Sequence, residues 1–199
     1  MKRLGILLSG RGSNFQAIAQ NVERGALKAE IAAVISNVES APGLTIARER
    51  GFATYFVNPR GHTRESFDQH VARILQERFV DLVCLAGFMR LLSPFFVRSF
   101  RQRILNIHPS LLPAFPGLDA QRQALEHGVK FSGCTVHFVD EGLDSGPIIL
   151  QAVVPVLPDD DEASLAARIL VEEHRIYSQA IELVLTARIK VEGRQVLQL

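Results

Sequence analysis

Net charge is nearly absent from this sequence: 22 lysines and arginines face 21 aspartates and glutamates, a formal +1 with the histidines neutral. A chain so balanced has no general attraction for a polyanion such as DNA, so nucleic acid is not expected as a partner. Cysteine is scarce. Cys84 and Cys134 lie far apart, each inside an apolar run, and no Cys-x-x-Cys or His-x-x-x-His pair offers metal-ligand spacing. Two reduced core thiols and no metal are expected. Long hydrophobic runs are missing too. No segment approaches the length that spans a bilayer, and the apolar start Leu4–Leu8 is cut short by Ser9-Gly10-Arg11-Gly12 before it reaches signal-peptide length. The expectation is a cytoplasmic protein without membrane contact. Internal repeats, low-complexity tracts and any linker long enough to separate domains are lacking as well. Residues 1–199 therefore read as one domain, long enough to bury a core.

What is present is alternation. Short apolar runs predict strands at Leu4–Leu8, Ile31–Ser36, Thr54–Val57, Leu82–Leu85, Arg103–Ile107, Ser132–Val139 and Ile148–Val156. Between them, helical patterns predict helices at Asn14–Arg24, Gly43–Arg50, Arg64–Arg78, Pro94–Phe100, Ala120–His127 and Glu162–Ala187, the last capped by Asp161. Strand–helix alternation implies an α/β, Rossmann-like fold: a mostly parallel twisted sheet with helices on both faces. The early strands are apolar at both parities, as two covered faces require. The last two strands have no helix between them, which implies an antiparallel C-terminal edge. In such sheets, ligands bind at the carboxyl ends of the strands.

Three motifs fall at such ends. Ser9-Gly10-Arg11-Gly12-Ser13-Asn14 follows the first strand and opens the first helix. Its glycines let the backbone approach a ligand, and the free N–H groups and dipole of the helix start favour an anion such as phosphate. It lacks the third glycine of the dinucleotide pattern and the Gly-Lys-Ser/Thr of a P-loop, so a tight turn with a capped helix is the plain alternative. In Ile104-Leu105-Asn106-Ile107-His108-Pro109, Asn106 and His108 are two apart on a strand and share a face. An imidazole moves protons near neutral pH, and an amide donates to an oxygen that gains charge. A structural Asn and His at a turn is the competing reading. The third motif, Asp140-Glu141-Gly142-Leu143-Asp144-Ser145-Gly146-Pro147, is an irregular loop with three acids. Loop acids are usually solvated, but an Asp144 that reached His108 would orient its ring and favour its charged form.

Taken together, Gly12-Ser13-Asn14, Ala86-Gly87-Phe88-Met89-Arg90-Leu91-Leu92, Asn106-Ile107-His108-Pro109-Ser110-Leu111-Leu112-Pro113 and Leu143-Asp144-Ser145-Gly146-Pro147-Ile148-Ile149 closely resemble the motifs of the phosphoribosylglycinamide formyltransferase family, in order and over nearly the whole chain. These are folate-dependent enzymes of purine synthesis. The resemblance implies transfer of a formyl group from 10-formyltetrahydrofolate, as cosubstrate, to the amine of glycinamide ribonucleotide, with no metal. It implies Asn106, His108 and Asp144 as the catalytic set and Gly12, Ser13 and Asn14 as the phosphate site. The folate would be held by Met89, Arg90, Leu91, Leu92, Asn106, Asp140 and Arg64. Glu173 breaks the apolar stripe Leu165, Ile169, Ile176, Ala180 of the last helix; the resemblance points it toward the ribonucleotide, with a structural ion pair as the alternative. Arg64 has its own alternative, a solvated arginine at a helix start. His137 reads either as a neighbour of the site or as a core histidine.

The chain departs from the family at one place. Many members carry two histidines after the Ser-Leu-Leu-Pro motif, where Asp119 and Gln121 stand here. The expected partners are the two small molecules alone, with the protein acting as a monomer or homodimer. Rival readings are 10-formyltetrahydrofolate hydrolase, whose relatives carry an extra N-terminal domain, a methionyl-tRNA formyltransferase-like core, which calls for a further C-terminal domain and a basic surface, and a non-catalytic nucleotide-binding module.

Overall fold

A computed structural model describes residues 1–199. The elements run β1 (Lys2–Leu8), α1 (Ser13–Glu23), β2 (Ala29–Ser36), α2 (Pro42–Glu49), β3 (Thr54–Phe56), α3 (Arg64–Glu77), β4 (Leu82–Leu85), α4 (Pro94–Ser99), β5 (Ile104–His108), α5 (Ala120–Glu126), β6 (Phe131–Phe138), β7 (Ile148–Pro155), α6 (Glu162–Leu185), β8 (Ile189–Glu192) and β9 (Gln195–Gln198). Strands β1 to β7 form one sheet in the order β3-β2-β1-β4-β5-β6-β7, and β8 pairs with β9 separately. This is the expected α/β architecture. Every predicted element is present, with ends displaced by a few residues. The β8–β9 ladder was not expected. No helix is long and apolar enough to cross a membrane.

The chain divides into two compact units, Met1–Leu105 and Asn106–Leu199. In the first, β1 pairs in parallel with β2 and β4, and β2 with β3. Leu4, Ile6, Leu7 and Leu8 of β1 are all fully buried. Burial at both parities means both faces of this strand are covered, as its unbroken apolar run anticipated. Two helices of this unit start on hydroxyl caps: Thr63 accepts from Ser66 N–H and Ser93 from Phe96 N–H, each satisfying an N–H that the helix leaves free.

In the second unit, β6 and β7 pair antiparallel, forming the anticipated C-terminal edge. Helix α6 begins at a capping box in which Asp161 accepts from Ser164 N–H and the Ser164 hydroxyl accepts from Asp161 N–H. The preceding Asp160 pairs with both terminal nitrogens of Arg168 and accepts from Leu157 N–H. Leu165, Ile169, Ile176, Tyr177, Ala180 and Ile181 form the buried stripe of α6. Glu173 lies within it, only 7% exposed.

Strand β6 carries two features with measurable consequences. A Cβ on Gly133 would lie 1.9 Å from the Ala152 carbonyl oxygen across the β6–β7 pair. Gly133→Ala must push the strands apart, and overpacking of this kind costs ~1–3 kcal/mol. The expected result is a lower urea midpoint at unchanged slope; an unchanged midpoint would show that the pair yields freely. The second feature is His137, buried with its Nδ1 2.9 Å from the Phe138 carbonyl. Burial, the largest influence, lowers its pKa from the ordinary 6.5 against the opposing pull of that carbonyl and of Asp144. The unfolded chain therefore takes up the proton first. The contribution of His137 to stability is present above the ordinary value and is lost as pH falls below it toward the folded one. His174, also lowered by burial, acts with the same sign. Between about pH 7.5 and about pH 5.5 the wild type should lose more stability than His137→Gln; equal losses by urea titration would contradict this.

Candidate active site

Asn106 and His108 occupy the end of β5, two residues apart, and their side chains meet the same carboxylate. The His108 Nδ1 lies 3.4 Å from Asp144 Oδ2, and the Asn106 amide nitrogen lies 3.4 Å from Asp144 Oδ1. On its other side the Asn106 amide nitrogen lies 3.3 Å from His137 Nε2. His108 is 4% exposed and His137 2%. The three residues expected to form the catalytic set are therefore brought together by the structure, and His137 joins them.

The two histidines face opposite partners. The His108 Nε2 sits 2.8 Å from the Phe115 carbonyl oxygen, while its Nδ1 faces the Asp144 carboxylate. Both are acceptors, so only a doubly protonated ring donates to both. His137 Nδ1 also faces a carbonyl, that of Phe138, but its Nε2 faces the Asn106 NH2, which is a donor. A neutral ring with its proton on Nδ1 satisfies this pair of contacts. The downward pKa shift of His137 agrees with that form. Asn106 thus lies between the Asp144 carboxylate, which it shares with His108, and the His137 ring.

Asp144 owes its position to the loop around it. Its backbone is left-handed, with φ of 48°, a conformation that short polar residues such as aspartate tolerate better than most. Beyond it, a Cβ on Gly146 would lie 1.8 Å from the Phe138 carbonyl oxygen, and Phe138 N–H donates to Pro147 O at 2.9 Å. Only glycine lets the loop return this close to β6. Asp140, expected near the folate, uses its Oδ1 to accept from Gly142 N–H and the Ser145 hydroxyl. This carboxylate shapes the loop that presents Asp144.

The segment 109–119 supplies contacts that the sequence did not announce. Gly117 N–H donates to Asp144 Oδ2 at 2.9 Å, so backbone groups of this loop engage both His108 and Asp144. Its first turn is fixed from β6 and β7. The Thr135 hydroxyl donates to Ser110 O at 2.7 Å and accepts from Leu112 N–H, while Gln151 Nε2 donates to Leu112 O at 3.0 Å and to the Thr135 hydroxyl. Thr135 and Gln151 are cross-strand partners, a register set by the fold. The peptide between Leu112 and Pro113 is cis. Asp119, which stands where the family has histidine, is exposed and pairs with Arg122 rather than with His108. Gln121 is half-buried on α5.

The remaining expected residues lie as follows. In the first unit, Gly12 starts α1 in the left-handed region at φ of 69°, which suits glycine. No side chain caps this helix start and no acid lies in its first turn, leaving the field of Ser13 and Asn14 favourable to an anion. Gly43 N–H donates to Gly10 O at 3.0 Å, bracing the loop against the start of α2. Met89 and Leu91 are exposed apolar side chains, and the Arg90 guanidinium lies 4.4 Å from the Phe67 ring centroid. Leu92 is half-buried. The buried Asp68 accepts from Ser93 N–H at 2.5 Å and holds the end of this segment to α3. Burial raises the Asp68 pKa, against the lowering effects of Ser93, Arg90 and Arg64. Arg64 itself is exposed at the start of α3. Asp68 is an acid on the Phe67–Val71–Leu75 stripe, the same signal that singles out Glu173. In the second unit, Glu173 is buried near Cys134, whose thiol is pushed up to about 12 by burial and then by Glu173. Burial also pushes Cys84 up. Neither sulfur is poised as a nucleophile.

A family profile described as formyl transferase matches residues 2–181. The chain is 45% identical over 187 residues to phosphoribosylglycinamide formyltransferase of Escherichia coli (strain K12), covering 94% of this chain and 88% of that protein. It is 50% identical over 183 residues to the trifunctional purine biosynthetic protein adenosine-3 of Drosophila melanogaster, covering 90% of this chain but only 14% of that protein's length. Among solved structures, glycinamide ribonucleotide transformylase 1 from Symbiobacterium toebii is 54% identical with a TM-score of 0.98, covering 100% of this chain and 94% of that one. A formyltetrahydrofolate deformylase from Pseudomonas syringae pv. tomato str. DC3000 is 28% identical with a TM-score of 0.93, over 99% of this chain and 65% of that one. With a profile and relatives that run through both units and every motif above, this chain belongs to the formyl transferase family.

Proposed function

We propose that the chain is a phosphoribosylglycinamide formyltransferase, with residues 1–199 acting as one formyltransferase domain. It takes the formyl group of 10-formyltetrahydrofolate, its cosubstrate, and passes it to the amine of glycinamide ribonucleotide in purine synthesis. The observation that carries this reading is the convergence of Asn106 and His108, each 3.4 Å from the Asp144 carboxylate, in a chain whose 45%-identical relative bears that name.

The chemistry follows from these groups. The ribonucleotide amine attacks the formyl carbon and the carbonyl oxygen becomes negative. Donors aimed at that oxygen lower the barrier most, because they need no reorganisation as charge develops. The donors are His108 Nε2–H and the Asn106 N–H that faces Asp144 Oδ1 at 3.4 Å, a long contact that this N–H leaves for the substrate oxygen. The Phe115 carbonyl oxygen lies 2.8 Å from His108 Nε2, and Gly117 N–H donates to Asp144 Oδ2 at 2.9 Å. Substrate must displace that loop for the imidazole to reach its oxygen. When the tetrahedral intermediate collapses, the carbon–nitrogen bond to folate breaks and the leaving folate nitrogen takes a proton from His108. The surplus proton of the attacking amine restores the imidazolium, and Asp144 keeps the ring aimed and its charge compensated. Gly12, Ser13 and Asn14 hold the ribonucleotide phosphate, with Glu173 toward its sugar or amine. Met89 to Leu92, Arg64, Asn106 and Asp140 serve the folate. The reading places the enzyme in the cytoplasm, as a monomer or homodimer, with these two small molecules as its partners.

The solved deformylase of like fold supports a second reading, hydrolysis of the same folate. An acceptor assay separates them. With 10-formyltetrahydrofolate supplied, tetrahydrofolate should form only when glycinamide ribonucleotide is present. Release with water alone supports the hydrolase, transfer only to methionyl-tRNA supports that core, and no release supports a non-catalytic module. His108→Ala and Asp144→Asn should each lower kcat by about a hundredfold or more while the melting temperature changes little. A variant that turns over at the wild-type rate removes that residue from the mechanism.

A further inference from the structure

We infer that Ser9, which the mechanism above does not use, is a positioning residue that ties the phosphate loop to the folate segment. The inference rests on the assignment of residues 12–14 to the phosphate and 89–92 to the folate. Ser9 stands one residue beyond β1, at the carboxyl end where the phosphate loop begins. Its backbone N–H donates to Gly87 O at 3.0 Å, continuing the β1–β4 ladder past the last strand pair. Its hydroxyl then makes two bonds to residues far away in the chain. It accepts from Met89 N–H at 2.8 Å and donates to Asn37 Oδ1 at 2.6 Å. A serine hydroxyl has one proton to give and lone pairs to receive, so a single atom joins the ends of β1, β2 and β4. Asn37 is itself held in place. The Ser36 hydroxyl donates to Val38 O and accepts from Val38 N–H, at 2.9 and 3.0 Å, closing the turn around it.

The placement matters because each partner borders a binding segment. Ser9 lies three residues before Gly12 on one side, and its acceptor contact is the first backbone amide of Met89–Leu92 on the other. Gly43 N–H fixes the next carbonyl, that of Gly10, so the loop beyond Ser9 is not free to absorb a shift. Removing the hydroxyl leaves Met89 N–H without its acceptor and frees the folate segment to move against the phosphate loop. The catalytic trio is not touched. The loss should therefore appear in the Michaelis constants more than in kcat, because it disturbs where the two substrates are held.

The test uses the full chain and two kinds of reading. Ser9→Ala should raise the KM of both 10-formyltetrahydrofolate and glycinamide ribonucleotide by about fivefold, as expected for one lost hydrogen bond, with kcat within about twofold. Hydrogen exchange at the Met89 amide should speed up, and Ser9→Thr, which keeps the hydroxyl, should restore both. Asn37→Ala removes only the acceptor and should move both KM values the same way by less; it decides the matter if Ser9→Ala does not fold. An active wild type whose KM values are unchanged in both variants overturns the inference. So does unchanged Met89 exchange in a folded Ser9→Ala. Absence of formyl transfer by the wild type overturns instead the reading on which the inference rests, and the exchange measurement still decides whether the tie exists.

Discussion

The Asp144 carboxylate is the constraint around which the candidate site is arranged. One oxygen faces the Asn106 amide and the other faces both the His108 ring and the Gly117 backbone N–H. A carboxylate this shielded is costly unless donors surround it, and here they come from β5 and from the loop that follows it. The arrangement also sorts the histidines. His108 touches the carboxylate and a carbonyl, and both contacts ask for N–H donors. His137 touches a carbonyl and an amide NH2, and those contacts ask for one donor and one acceptor. Two imidazoles thus flank one asparagine and one carboxylate with different hydrogen-bond partners.

Asp144 can take this role because of backbone chemistry in its own loop. Asp140 closes the first turn, Gly146 lets the chain pass against the Phe138 carbonyl, and Asp144 itself accepts a left-handed backbone. The opposite wall of the crevice is a loop pinned at its root by Thr135 and Gln151 and resting by its backbone on His108 and Asp144. The loop meets this centre through the Phe115 carbonyl and the Gly117 N–H, while Asp119 pairs with Arg122.

Much of this was legible in the sequence. The two-residue spacing of Asn106 and His108 at a strand end gave their shared face. Alternation of strands and helices gave the sheet and its antiparallel edge. Glu173 betrayed itself as a charge on an apolar stripe, and Asp68 carried the same sign unread. Ile189-Lys190-Val191-Glu192 followed by a glycine turn is a hairpin pattern, and the structure pairs it with Gln195–Gln198. Other features leave no trace in residue types. The carbonyl of Phe115 and the N–H of Gly117 are main-chain groups, and only the fold decides that they meet His108 and Asp144. The meeting of Asp144 with His108, 36 residues apart, is likewise set by the return of the loop to β6.

The most direct test is a crystal structure of the complex with glycinamide ribonucleotide and a folate analogue carrying an oxygen in place of the formyl carbonyl. That oxygen should lie at about 2.7–3.1 Å from both the Asn106 amide nitrogen and His108 Nε2, with the Phe115 carbonyl displaced and the Asp144 contact to His108 retained. A ligand oxygen bound away from these two donors, with Phe115 still seated on His108, would contradict the account.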